Sequence, residues 1–135
     1  MRLPHKAHLV IADGNHFTLF RNEGSPDNPR LAEEAKPDLS ATNFSAGVRN
    51  QDSASQLRGR TDLNELAHGA AVAEWLNAAV LEKKVERLIV VADPKTLGEM
   101  RRHYHKELEA ALIAEEAKTM TGESIDRIEK MLQSA

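Results

Sequence analysis

The sequence of 135 residues contains no cysteine, and only 4% of its residues are aromatic. The absence of cysteine excludes disulfide bonds, thiol catalysis and metal sites built from cysteine. The longest uninterrupted apolar run spans only a few residues, which is too short for a membrane-spanning helix or the core of a signal peptide. We therefore expect a cytoplasmic protein that does not bind a membrane.

An excess of positive charge is also missing. The formal net charge is -3 and the sequence pI is about 6.1, so the chain as a whole does not attract nucleic acid, and any contact with RNA has to use a local basic patch. What is present is 41% of hydrophobic residues, enough for the modest core of one globular domain. We predict a single domain over residues 1–135.

The N-terminal part predicts three antiparallel strands. Two apolar runs, Leu9–Ala12 and Phe17–Phe20, flank Asp13-Gly14, a dipeptide typical of a tight β-hairpin turn. In the next run, Glu33 and Glu34 are poor strand formers, so the third strand is expected at a solvent-facing edge of the sheet. The predicted strands are Ala7–Ala12, Phe17–Arg21 and Arg30–Lys36.

The middle of the chain, Pro37–Thr61, is polar and rich in Ser, Asn, Gln and Asp, which predicts a long flexible loop. Structureless loops of this length are uncommon inside a compact domain and are usually either functional or mobile. A contact surface and a tether without function are both compatible with this segment.

The C-terminal part predicts the order α-β-α-β-α. Asp62, followed by Glu65 three residues later, resembles a capping box at the start of the first helix. Trp75 on this helix is expected to pack on the sheet. The apolar residues that recur at helical spacing are Leu63, Leu66, Ala70, Ala73, Leu76 and Val80.

The remaining predicted elements begin with one buried strand. Arg87–Ala92 is apolar on both faces and rich in β-branched residues, as in a central strand. Asp93 is expected to cap the following helix, with Pro94 in its first turn and its end near His105. Ala110–Ala114 predicts the last strand, and Thr121 is expected to cap the final helix.

Few folds accommodate the resulting order β-β-β-α-β-α-β-α. Three antiparallel strands followed by right-handed β-α-β crossovers give a mixed five-stranded sheet with helices on both faces. The predicted fold class is therefore α/β, ribonuclease H-like, with strand order 3-2-1-4-5.

Three stretches also carry a family resemblance: Val10–Gly24 (VIADGNHFTLFRNEG), Leu88–Leu108 (LIVVADPKTLGEMRRHYHKEL) and Ala114–Leu132 (AEEAKTMTGESIDRIEKML). They resemble the bacterial host attachment proteins, described as required for attachment to host cells. That family in turn resembles the middle domain of the archaeal–eukaryotic peptide-chain release factors. The resemblance extends over nearly the whole chain.

The resemblance implies a translation-associated role with the ribosome or tRNA as partner. In the release factors, a loop before the first long helix carries the Gly-Gly-Gln tip that hydrolyses peptidyl-tRNA. The equivalent segment here is Phe44–Thr61, which contains no Gly-Gly-Gln. Those glycines allow the backbone to approach the ester closely, so we expect a non-catalytic or weakly catalytic protein without a cofactor. A protein-interaction module that affects attachment to host cells indirectly is an alternative.

A second alternative is a metal-dependent nuclease, because ribonuclease H-like folds often host carboxylate sites for divalent cations. Four carboxylates fall at suitable topological positions: Asp13, Glu65 or Glu74, Asp93 and Asp126. Each also has a local explanation, since Asp13 suits a turn, Asp93 suits a helix cap, and the others suit solvent-facing helical positions. Fold-level analogy is a weak basis for function.

Six basic residues favour RNA binding as a further interpretation of the sequence. Arg49, Arg58 and Arg60 lie in the polar segment, and Lys95, Arg101 and Arg102 lie on or beside the second predicted helix. For the latter group, we favour a solvated helix face on which Glu99 and Glu107 neutralise much of the charge. 

The histidines and serines show no spacing typical of a metal or nucleophile site, so we predict no metal and no catalytic residue. His8 and His16 are able to pair across the first two strands, although such a pair is more often packing than metal ligation.

Overall fold

The computed structural model describes residues 2–37, 39 and 54–134. Its strands are β1 (His8–Ala12), β2 (Phe17–Asn22), β3 (Leu31–Ala35), β4 (Leu88–Ala92) and β5 (Leu112–Ala117). Its helices are α1 (Ala54–Leu81), α2 (Pro94–Arg101), α3 (Lys106–Ala111) and α4 (Ile125–Ser134).

The strands form one five-stranded sheet in the order β3-β2-β1-β4-β5. β1 pairs antiparallel with β2 and parallel with β4, and β4 pairs parallel with β5. Every residue of β1 and β4 is buried, as expected for central strands covered on both faces. The predicted mixed α/β sheet and its strand order are confirmed.

Alternation along the strands divides the core between the two faces of the sheet. On one face, which we call the α1 face, Val10 and Val90 pack with Leu76 of α1 and with residues of α2 and α3. On the other, the α4 face, Ile11 and Ile89 pack with Ile128 and Leu132. The predicted role of Trp75 agrees with this packing, since its ring meets Phe17 edge-on at 5.2 Å between centroids.

The first long helix begins earlier than the sequence predicts. α1 starts at Ala54, so the predicted loop is wrong for residues 54–61 and Asp62 is not an N-cap. The stretch Ala54–Arg60 contains good helix formers such as Ala, Gln, Leu and Arg, and its single glycine, Gly59, is tolerated within the helix. Residues 38 and 40–53 of the predicted loop, including Arg49, lie outside the described residues.

The connection between β4 and β5 also differs from its prediction. α2 ends at Arg101, a separate helix α3 follows, and β5 begins at Leu112 rather than at Ala110. Asn77 of α1 explains the break, because its side chain accepts a hydrogen bond from the His105 N–H (2.9 Å) and donates one to the His103 carbonyl (2.8 Å). The alanines before β5 therefore complete α3 instead of opening a strand.

One of two further connections differs from its prediction. The β1–β2 connection spans Asp13–His16, as the predicted strands require. α4 starts at Ile125, where the Ser124 hydroxyl accepts the Arg127 N–H at 3.3 Å. Thr121 lies before this helix and does not cap it.

Candidate functional site

The parallel arrangement of β1, β4 and β5 brings three carboxyl ends to one edge of the sheet. Asp13 follows β1, Asp93 follows β4, and Thr119 lies just beyond β5. In open α/β sheets, ligands usually bind at this edge, where the connections leave in opposite directions. A ligand site is therefore expected at this edge of the sheet.

Asp13 is the most highly connected side chain at this edge. Its Oδ1 accepts the N–H groups of Asn15 and His16, both at 2.7 Å, and its Oδ2 accepts the Thr121 hydroxyl at 2.7 Å. Burial raises the pKa of Asp13, but the hydrogen bonds from Thr121, Asn15 and His16 outweigh burial and lower the pKa below the ordinary 3.8. Asp13 is thus an anion that joins two distant segments.

The main chain of Asp13 makes a further long-range contact. Its carbonyl oxygen lies 2.9 Å from Nδ1 of His68, a buried residue of α1. Thr121 and His68 were not singled out as Asp13 partners by the sequence, because they lie 108 and 55 positions away. An aspartate followed by a turn gives no signal of such partners.

Beside Asp13 lies a small cavity of about 250 Å³ whose wall includes Glu65, Asp93 and Lys95. Asp93 caps α2 as predicted, with its Oδ2 accepting the Thr96 N–H at 3.2 Å. Glu65 pairs with Lys95 at 3.4 Å. A Cβ on Gly14 would lie 2.7 Å from Cγ of Glu65, so the absence of a side chain there makes room for Glu65.

The structure brings three of the four predicted carboxylates to this cavity: Asp13, Glu65 and Asp93. Asp126 is exposed in the first turn of α4, and Glu74 lines a separate groove near Trp75. Within the described residues, no group of three His, Asp or Glu side chains is placed to hold a metal ion. Both oxygens of Asp13 are engaged by protein donors, which explains part of that result.

The basic residues of the second crossover are placed beside carboxylates. Arg101 contacts Glu115 at 3.0 Å and Arg102 contacts Glu99 at 3.4 Å, while Lys95 pairs with Glu65 as described above. Arg58 and Arg60 lie on α1, and Arg49 is outside the described residues. The proposed RNA-binding role of this set stays a prediction.

The histidines occupy separate places. His8 contacts Glu34 at 2.5 Å and not His16, which contacts Asp13 instead. Glu34 reaches His8 because the β2–β3 register shifts by one residue, so that Glu34 is the extra residue of a β-bulge. His103 pairs with Glu99 at 3.0 Å, and His105 caps α3. The cross-strand pair of His8 and His16 suggested by the sequence does not form.

Among the described residues, no helix combines the length and the apolar character needed to cross a membrane.

Comparison with known proteins finds one family whose model matches most of the chain. The model of a family described as "Bacterial archaeo-eukaryotic release factor family 12" matches residues 6–132. No curated protein matches the sequence significantly. The match runs from just before β1 almost to the end of α4, so it includes the entire sheet and the edge at Asp13. It supports the release-factor part of the predicted kinship, and the host-attachment part stays a prediction.

Proposed function

The chain belongs to the bacterial archaeo-eukaryotic release factor family 12, and on this premise we propose that it acts in translation by contacting the ribosome or tRNA through the segment Phe44–Thr61. The family match is the observation that carries the proposal. The contact takes place in the cytoplasm, where ribosomes and tRNA are found. Any effect on attachment to host cells is an indirect consequence of this contact.

The charge of the segment supports contact with RNA. Residues 44–61 contain three arginines, Arg49, Arg58 and Arg60, against a single acidic residue, Asp52. Arginine suits phosphate because its planar guanidinium donates two parallel hydrogen bonds. A local excess of this kind provides the attraction that the net charge of the whole chain does not.

Lys95, Arg101 and Arg102 provide a second set of contacts, although each now lies beside a carboxylate. The side chains of Arg101 and Arg102 are 56% and 77% exposed. Their partners Glu115 and Glu99 are only 20% and 14% exposed, so these carboxylates compete with a phosphate for the exposed guanidinium groups. The acidic partners reduce the affinity of this surface, which makes it secondary to Phe44–Thr61.

The proposed contact is binding rather than peptide release. The sequence contains no Gly-Gly-Gln, and hydrolysis by that chemistry needs a backbone that approaches the ester as closely as glycine permits. We therefore expect occupancy of a ribosomal or tRNA site without hydrolysis of peptidyl-tRNA.

Co-sedimentation with purified ribosomes tests the proposal. We expect the wild-type protein to pellet with ribosomes at low salt and to be released as salt rises, since each phosphate contact to single-stranded RNA contributes about 0.7 to the slope of log K against log salt. The triple variant Arg49→Gln, Arg58→Gln, Arg60→Gln should reduce that slope by about 2.

A matched control removes the same charge elsewhere. Arg2, Arg127 and Lys130 are exposed and lie outside the segment, and their replacement by Gln should leave pelleting unchanged. The proposal fails if wild-type protein stays in the supernatant at low salt, or if both triple variants lose binding equally.

A further inference from the structure

A second cavity lies on the α4 face, between the sheet and the segment that leads into α4. Its volume is about 470 Å³, within the range of small-molecule sites. The exposed Ile125 and the half-buried Met120 contribute apolar surface, next to the buried Ile11, Phe20 and Ile128. His16 and Thr121 also line the cavity.

His16 and Asp13 form a pair at the wall of this cavity. Nδ1 of His16 lies 3.1 Å from Oδ1 of Asp13 and 3.3 Å from Oδ2. Since an ionised carboxylate only accepts, Nδ1 of His16 is the donor in this pair. In that tautomer Nε2 carries the lone pair, and the His16 side chain is 63% exposed, so its outer nitrogen is accessible to water.

The carboxylate of this pair is held in place from two directions. The hairpin alone accounts for the two backbone bonds to Oδ1, whereas the Thr121 hydroxyl reaches Oδ2 from a segment 108 positions away. The same bonds lower the pKa of Asp13, so the carboxylate keeps its negative charge at neutral pH. A fixed carboxylate that orients an imidazole is the arrangement that general-base catalysis uses.

The charges around the cavity indicate which ligand it accepts. Lys36, Glu33 and Glu123 are the charged residues of its lining besides His16, and Arg127 pairs with Glu123 at 3.2 Å. With His16 neutral, two positive charges therefore balance two negative ones, and a strongly charged ligand gains little. The apolar surface favours a short hydrocarbon group. Lys36 and Thr18 also line the cavity, and both donate hydrogen bonds of the kind that stabilise an oxygen gaining negative charge.

We propose that His16 and Asp13 form a general-base dyad that hydrolyses small, neutral carboxylic esters bound in this cavity. Water adds to the carbonyl carbon while its proton passes to Nε2 of His16, and the carbonyl oxygen takes the negative charge. The ester C–O bond then breaks, and the alcohol oxygen receives the proton from Nε2. The products are a carboxylic acid and an alcohol, and His16 is regenerated.

Hydrolysis of p-nitrophenyl butyrate by the intact chain tests this proposal. His16→Gln should lower kcat/KM by about 100-fold or more, the usual contribution of a general base. His5→Gln is the matched control, because His5 is also exposed but precedes β1 at the opposite end of the strand, and its rate should equal that of the wild type.

Thr121 is a positioning residue in this scheme, and its test separates orientation from folding. Thr121→Val should lower kcat with little change in KM, while Thr121→Ser should restore kcat because it keeps the hydroxyl that Asp13 accepts. The proposal is overturned if His16→Gln hydrolyses the ester as fast as the wild type, or if the wild type is no faster than the same concentration of free imidazole. Ribosome binding is independent of either result.

Discussion

Within residues 2–37, 39 and 54–134, the two faces of the sheet are covered to different extents. On the α1 face, three helices enclose the core, and Leu76, Val90 and Leu108 are fully buried. On the α4 face, one helix of 10 residues packs through Ile128 and Leu132 and leaves the 470 Å³ cavity beside it. The same central strands therefore pack against a filled core on one face and border an open cavity on the other.

The largest expected effect comes from removing volume on the filled face. Leu76→Ala should lower the free energy of unfolding by about 3 kcal/mol, since the enclosed site cannot collapse around the missing methyl groups. Ile125→Ala, at a 41% exposed residue on the wall of the open cavity, should cost less, about 1 kcal/mol, because much of this side chain is already in contact with water. Urea denaturation monitored by circular dichroism measures both values, and an equal loss in both variants contradicts the difference between the faces.

A smaller loss is expected where a polar side chain is buried on the filled face. Asn77→Ala removes the bonds to His103 and His105 and leaves a carbonyl and an N–H without their partner, which should cost about 2 kcal/mol. Asn64→Ala is the control, since Asn64 is exposed on the same helix. Equal unfolding midpoints for the two variants would show that Asn77 does not stabilise the break between α2 and α3.

Local signals in the sequence are sufficient for most of the fold. Arg87–Ala92 identifies a central strand from its composition, and Asp93-Pro94 identifies the next helix from its first two residues. The Asp13-Gly14 turn also places β1 beside β2. These predictions succeed because the residues that determine each structure are neighbours in the chain.

The site was predicted less completely, because its contacts join residues far apart in sequence. The sequence identifies Asp13, but it predicts a helix cap at the donor Thr121 and gives no signal for the contact with His68. Asn77 likewise shows no pattern that would predict the early end of α2. The early start of α1 was missed because the polar residues of Ala54–Arg60 resemble a loop in composition although their helix propensity is adequate.

Asp13 contacts both faces, so its replacement tests how they are joined. Its carbonyl contacts His68 of α1, and its carboxylate contacts Thr121 before α4. Asp13→Asn should lower the free energy of unfolding by about 1–2 kcal/mol at neutral pH through weaker hydrogen bonds. Asp27→Asn, at a side chain that is 78% exposed, should change stability by less than about 0.5 kcal/mol.

The difference in stability between wild type and Asp13→Asn should change with pH in one direction. The pKa of Asp13 is lower in the folded protein than the ordinary 3.8, so ionised Asp13 stabilises the fold above this pH. As pH falls through the folded pKa, the contribution is lost. The stability difference between wild type and Asp13→Asn should therefore be constant near neutrality and shrink below about pH 4; a difference that grows on acidification contradicts the proposed bonding.

The smallest effect concerns how closely each face approaches the β1–β2 hairpin. Gly14→Ala places a Cβ within 2.7 Å of the Glu65 side chain, so that chain must move, at a cost of about 1 kcal/mol. Glu65→Ala should remove the conflict, so the double variant should recover most of the loss in a double-mutant cycle. On the open face, Thr18→Val adds no volume to a filled space because Thr18 borders the cavity, and it should change stability by less than about 0.5 kcal/mol.

If Gly14→Ala is as neutral as Thr18→Val, the contact between the hairpin and α1 is looser than the geometry indicates. If the double variant recovers nothing, the cost of Gly14→Ala arises in the turn itself and not from Glu65.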